Sequence, residues 1–146
     1  MLKVRLADIN DMKRVFDLSN DEAVRKNAIN KEKILWQNHV LWYEARIRKE
    51  NEPFYIVEDE NKNFVAQVRF DIKDENIISV SLTPEFRGKG LSAQIIKICS
   101  EKFNQKPIIA YIKEENILSL KAFLKAGYKK AGNKIIDNEN YIRLCF

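Results

Sequence analysis

Hydrophobic and polar positions change period many times along this chain, and each change marks a predicted element. Leu2, Val4 and Leu6 alternate with charged residues, so residues 2–6 read as a first strand. Asp8 or Asn10 stands where a helix cap belongs, and the helix it opens runs through Phe16 and Leu18. A polar break covers residues 20–30. Beyond it a longer helix, about residues 31–49, carries Ile34, Leu35, Leu41, Trp36, Trp42 and Tyr43. Residues 54–58, 64–71 and 77–82 then form an antiparallel meander, with Asn61-Lys62-Asn63 as one of its turns.

From residue 90 to 103 the spacing becomes helical, with Leu91, Ile95, Ile98 and Cys99 on one stripe and Ile96 and Phe103 beside it. Pro107 ends that helix, and residues 108–112 form an apolar strand. A helix over about residues 116–126 closes at Gly127, and two strands, 128–136 and 141–146, complete the order βααβββαβαββ. No repeat or linker interrupts the pattern, so residues 1–146 are expected to form one domain of mixed α/β class.

Composition changes this picture little. A hydrophobic fraction of 45% and a charged fraction of 32% are those of a soluble globular chain, and no apolar run is long enough to span a bilayer. The charged first residues do not resemble a secretory signal, so a cytoplasmic location is expected, with no membrane partner. Cys99 and Cys145 are far apart in apolar sequence and lack metal or redox spacing; they read as small buried hydrophobes, and no metal is expected. The net charge of +5 suits a polyanion of any kind, including a phosphate-rich cofactor.

The chemistry concentrates in one loop. Of four glycines, Gly88 and Gly90 fall within the stretch Arg87-Gly88-Lys89-Gly90-Leu91-Ser92, between a strand and a helix. A pyrophosphate needs several backbone N–H groups at close range. Glycine permits the turn and the approach, a helix N-terminus adds its positive end, and Arg87 and Lys89 add countercharge. Thr83-Pro84 breaks the preceding strand and fixes where the loop leaves.

The stretch from Leu82 to Ser92 resembles the acyl-CoA pyrophosphate loop of the GNAT superfamily of N-acyltransferases, with pattern Arg/Gln-x-x-Gly-x-Gly/Ala and Ser92 at the last small position. Asn116, Ser119, Phe123 and Gly127-Tyr128 resemble that family's helix beside the pantetheine. The resemblance implies a central mixed, mostly antiparallel, splayed sheet of about seven strands with helices on both faces. It also implies acetyl-CoA as donor, held by Leu82, Thr83, Arg87, Gly88, Lys89, Gly90, Leu91, Ser92, Asn116, Ser119 and Phe123. The reaction would be direct attack of a primary amine on the thioester, with the Leu82 backbone polarising the acetyl carbonyl. The family's frequent tyrosine acid is replaced by Phe123, which carries no proton; Tyr111 is a candidate substitute.

On the acceptor side, centring a hairpin on Asp74 pairs Gln67 with Ser81 and Arg69 with Ser79. That leaves a polar face of Gln67, Arg69, Asp71, Ser79 and Ser81, which is either a cleft lined for a polar substrate or a partly solvated face with an internal salt bridge. His39, the one histidine, is either a candidate base or substrate donor on the long helix or, as a lone helical histidine more often is, a structural or solvated residue; at least one of the nearby aromatics should border a pocket or partner. Val24-Arg25-Lys26-Asn27, Trp36, His39, Trp42 and Gln67-Val68-Arg69-Phe70-Asp71 are similar to GNAT members acting on nucleotide-linked amino sugars of the pseudaminic and legionaminic type. That likeness implies an acceptor site of Asn27, His39, Trp42, Gln67 and Arg69, with Arg69 toward phosphate or carboxylate. A protein or peptide amine, a polyamine or an antibiotic are alternative acceptors. A non-catalytic acyl-CoA-binding module is an alternative from another class. Nucleic acid is not an expected partner, because positive charge is scattered and base-reading motifs are absent. A monomer or a homodimer fits the sequence equally.

Overall fold

The computed structural model describes residues 1–146. Its elements are β1 (Lys3–Leu6), α1 (Met12–Ser19), α2 (Glu22–Asn27), α3 (Trp36–Arg46), β2 (Phe54–Glu58), β3 (Phe64–Ile72), β4 (Asn76–Leu82), α4 (Leu91–Lys102), β5 (Ile108–Lys113), α5 (Ile117–Lys125), β6 (Lys129–Ile136) and β7 (Glu139–Cys145). They form one seven-stranded sheet in the order β1-β2-β3-β4-β5-β7-β6, in which the pairing of β4 with β5 is the parallel one. No helix is long and apolar enough to cross a membrane.

Strand alternation divides the core into two layers. On one face Val57, Ala66, Val68, Phe70, Ile78 and Leu82 meet Ile95, Ile96 and Cys99 of α4 and Phe123 of α5. On the other, Phe54 and Ile56 meet Val15 of α1 and Tyr43 of α3. Helices therefore cover both faces, and the register pairs Gln67 with Ser81 and Arg69 with Ser79, as the alternation requires.

The first turn is fixed by charge. Asp8 caps a short 3-10 turn over Ile9–Asp11, and Asp11, 1% exposed, accepts hydrogen bonds from Arg5 at 2.7 and 2.8 Å and from Arg14 at 3.0 Å. Glu58 on β2 takes the same two arginines, at 3.0 Å from Arg5 and 2.9 Å from Arg14, tying β1, α1 and β2 together.

Two expectations change. The polar break contains a helix, α2, capped by Asp21, whose carboxylate accepts the Val24 N–H. The long helix also starts at Trp36, later than its apolar spacing suggests, because the Asn20 side chain holds Ile34 extended through both backbone groups, at 2.8 and 2.9 Å. The exposed edge strand β6 carries Lys129, Lys130 and Lys134, charges that discourage further strand pairing.

Candidate active site

The parallel pairing of β4 and β5 holds only at Asn76 with Ile108 and Ile77 with Ile109; beyond that the strands part. Leu82 and Val80 stand in the positions of the β3–β4 ladder whose N–H and C=O point away from β3, so these groups face the gap. The Leu82 carbonyl is taken by Arg87 Nε at 3.1 Å, which leaves the Leu82 N–H as the donor at the mouth. The splay thus exposes backbone that a regular sheet would consume, and it does so beside the glycine loop.

That loop is built to receive an anion. Gly88 and Gly90 have φ of +73° and +74°, a region that a side chain would strain, and Gly90 in this left-handed conformation is the residue before α4. The backbone N–H groups of Gly88, Lys89, Gly90, Leu91 and Ser92 make no hydrogen bond within the chain, so they stand together as free donors at a helix N-terminus. On the same side, Asn116 caps α5 by accepting the Ser119 N–H at 3.3 Å. Both residues are half-buried, while Phe123 is 3% exposed and packs edge-on to Tyr128. Leu82 through Ser92 and the inner side of α5 therefore lie on the two flanks of one opening. A pantetheine chain with a pyrophosphate at its outer end fits this donor set: backbone groups in the gap, then five N–H groups and the Lys89 ammonium where the phosphates belong.

Arg87 does not point outward with Lys89. Its Nη2 lies 2.7 Å from Asp21 Oδ2, so the countercharge expected of it is already engaged by α2. A cleft of about 350 Å³ lies between the two, lined by Asp21, Glu22, Ala23, Lys26, Pro84 and Arg87.

The opposite face of the sheet, beneath α1, α2 and α3, carries the polar row. Gln67 is 7% exposed and its Nε2 donates to Ser19 Oγ at 3.2 Å; Arg69 Nε donates to Asp71 at 3.1 Å and its guanidinium lies 5.3 Å from the Trp42 ring. The row is thus half-enclosed by helices and contains the internal salt bridge, while Ser79 and Ser81 remain accessible on the strand that borders the gap. Arg25, unremarked in the sequence beyond its motif, joins this region. Burial and the adjacent Arg69 charge both push its guanidinium below the usual value. Arg46 is 3% exposed and is shifted down by burial, although Asp71 opposes that shift.

Other expected site residues lie elsewhere. His39 is 1% exposed, stacked on Tyr43, with Nε2 at 2.9 Å from the Met12 carbonyl, so that nitrogen must carry a proton and donate it. It is a core residue between α1 and α3, out of reach of a substrate and so not placed to act as a base. Trp36 and Trp42, at 43% and 38% exposure, are the aromatics that reach the surface, and Tyr43 is fully buried. Asn27 is exposed, its Nδ2 bonded back to the Ala23 carbonyl within α2. Tyr111 stands on β5 in the same row as Ser79, but its hydroxyl donates to Glu75, which Arg143 also holds at 3.0 Å. Burial and the Glu75 carboxylate push the Tyr111 hydroxyl up, making it a poor proton donor. Cys99 is fully buried and its thiol is pushed up to about 12, so it supplies no nucleophile.

The family described as "Acetyltransferase (GNAT) domain" matches residues 20–143 of the sequence. The chain belongs to the GNAT acetyltransferases. It is 25% identical over 142 residues to YwnH of Bacillus subtilis (strain 168), provisionally assigned as a phosphinothricin acetyltransferase, covering 90% of this chain and 86% of the relative. Among solved structures it is similar to the spermidine N-acetyltransferase from Vibrio cholerae in complex with CoA and spermine. The TM-score is 0.89 at 18% identity, over 99% of this chain and 94% of that one. A protein assigned provisionally as a phosphinothricin N-acetyltransferase superposes with a TM-score of 0.81 at 23% identity, over 99% and 97% of the two chains. These structural likenesses establish the fold, a single α/β domain with an open, mostly antiparallel seven-stranded sheet. The GNAT chain is an acetyl-CoA-dependent N-acetyltransferase.

Proposed function

We propose that this GNAT enzyme acetylates a compact primary amine that carries an anionic group, admitted from the face covered by α1, α2 and α3. The observation that carries this reading is the excess of positive charge on that face. Arg25, Arg46 and Arg69 cluster closely enough for Arg69 to shift both of the others, and Asp71 is the carboxylate bonded to the set. Three guanidinium groups against one bonded carboxylate leave a net positive charge, which stabilises an adjacent anion, whereas a polyamine would add repulsion.

Acetyl-CoA supplies an activated acyl thioester when bound. The residues of the chain do the rest: the loop amides of Gly88 to Ser92 hold phosphate, Asn116 and Ser119 border the pantetheine path, and the Leu82 N–H is placed to polarise the acetyl carbonyl. Ser79 and Ser81 line the strand along which the amine approaches. The Phe123 ring keeps water from that side and offers no proton. A thiolate leaves without strong assistance, so the chemistry does not depend on a tyrosine there.

An amino acid with a second acidic group fits this description, and phosphinothricin, in the name of YwnH, is such a compound. A nucleotide-linked amino sugar is the second reading. The exposed Trp36 and Trp42 rings favour it, since they could stack on a base or sugar, and its phosphates would suit the same arginines. Thiol release from acetyl-CoA across acidic amino acids, nucleotide-linked amino sugars, polyamines, aminoglycosides and peptides tests both. Anionic amines should exceed polyamines in kcat/KM by at least about tenfold, a gap that one favourable charge contact provides. A preference for polyamines would refute the anionic reading.

A further inference from the structure

Two buried side-chain polar atoms in the chain find no hydrogen-bond partner, Gln67 Oε1 and Tyr141 Oη. Their residues are 7% and 3% exposed. Folding rarely leaves such groups unpaired, because each gives up its water and receives nothing, so their survival calls for a reason outside the folded chain.

The strand register gives them a common position. Gln67 stands opposite Ser81 in the β3–β4 ladder, and Tyr141 opposite Lys113 in the β5–β7 ladder. Ser81 and Lys113 lie equally far beyond Ile77 and Ile109, the last residues at which β4 and β5 still pair. One row therefore crosses the sheet as Gln67, Ser81, the gap, Lys113 and Tyr141. Alternation puts all four on the face covered by α1, α2 and α3, where Gln67 meets Ser19 and Lys113 meets the Lys26 carbonyl. The unpaired atoms thus belong to the strands immediately behind the two edges of the gap, at its open end.

The neighbouring groups in the row are already occupied. Gln67 Nε2 is bonded to Ser19, and Lys113 Nζ is held by the Lys26 carbonyl at 2.8 Å and by Glu139 at 3.0 Å. Glu139 also takes Lys31 at 2.7 Å, so the segment after α2 is pinned across β5 and β7 above Tyr141. Between Gln67 and Tyr141 lie at least three strand spacings, roughly 14 Å between backbones, a separation that a molecule of amino-acid size bridges with the two side chains at its ends.

The geometry points to Gln67 and Tyr141 as the hydrogen-bonding residues that position the acceptor, with Gln67 Oε1 accepting an N–H of its amine and Tyr141 Oη donating to an oxygen of the same molecule. The amide oxygen can only accept, so it selects the donor end of the acceptor; the phenol serves the other end. This assignment rests on the acceptor entering from the α1–α3 face, as proposed above. It adds to the arginine cluster the groups that set the direction of the amine relative to the gap.

Tyr141→Phe and Gln67→Leu test the assignment, with phosphinothricin and spermidine as acceptors and thermal unfolding alongside thiol release. Tyr141→Phe removes only an atom that has no partner in the free protein, so its Tm should match or exceed that of the parent; Gln67→Leu also gives up the bond to Ser19, so its Tm is no test. The KM for the preferred amine should rise about tenfold, while the KM for acetyl-CoA stays within about twofold. Addition of that amine should raise the Tm of the parent and leave that of either variant nearly unmoved. An unchanged amine KM or a lowered Tm in Tyr141→Phe overturns the assignment, and that variant decides the matter if Gln67→Leu does not fold. If spermidine is preferred and its KM still rises in the variants, the anionic reading fails while this assignment stands. If neither amine is acetylated by the parent, both fail.

Discussion

Asp21 Oδ2 lies 2.7 Å from Arg87 Nη2, which joins the cap of α2 to the loop that leaves β4 for the CoA site. The same carboxylate accepts the Val24 N–H, and its pKa is lowered because the Arg87 and backbone hydrogen bonds outweigh the opposing effect of burial. Asp21→Asn keeps an oxygen for the cap and removes the charge. Loss of a negative charge beside the loop, with Arg87 released from its partner, should lower the KM for acetyl-CoA about two- to threefold at low salt, and the difference should shrink at high salt. Steady-state kinetics at two ionic strengths measures this.

Arg69 carries the acceptor prediction. Arg69→Gln leaves Asp71 paired with Arg46 and should fold. The KM for an anionic amine should rise about tenfold or more, the KM for spermidine should fall, and the KM for acetyl-CoA should not move, since a lost charge contact is worth about 1.5–3 kcal/mol.

Gly90→Ala separates donor from acceptor. Nothing lies within 4 Å of the added methyl, so its cost is the backbone conformation at φ +74°, about 1–2 kcal/mol for a side chain. The KM for acetyl-CoA should rise while the amine KM stays constant; isothermal titration with CoA gives the same answer without turnover.

His39 should behave as a structural residue. Burial lowers its pKa, so the folded state holds it neutral. Its contribution to stability is present above about pH 6.5 and is lost as pH falls through the lowered value. His39→Asn should lower the Tm and leave the pH dependence of kcat/KM in the shape of the parent. An inflection that disappears with His39 would restore it as a base.

Asp11 predicts the response to acid. Burial alone would raise its pKa, but hydrogen bonds from Arg5, the Asp8 N–H and Arg14 hold it at about 2. Because this lies below the ordinary value of about 4, the network contributes fully above that pH and is lost as pH falls toward about 2. Asp11→Asn should be less stable at neutral pH by about 3 kcal/mol and should show a flatter stability profile across the acid range, as followed by circular dichroism.

Much of the fold was legible because its signals are local. The period changes placed all seven strands, and the hairpin centred on Asp74 gave the β3–β4 register. α2 was missed because its single turn and a half has no apolar stripe; the Asn20-Asp21-Glu22 cap signal was its one trace. His39 stays open between base and structural residue in the sequence because helical spacing does not say which side of α3 meets α1. A residue flanked by Phe16, Trp36 and Tyr43 belongs to whichever layer the docking buries.

The sequence by itself determined the glycine loop proposed to hold the donor. Residues 87–92 are contiguous, and the left-handed glycines, the free amides and the helix start are properties of that short segment wherever it is placed. Only the tertiary structure decided the acceptor half. Gln67, Ser81, Lys113 and Tyr141 become one row because four strands from distant parts of the chain align in register, and Arg25 joins Arg69 because α2 docks across them. Whether a buried polar group is paired depends on what packing brings to it, and no residue carries that information alone.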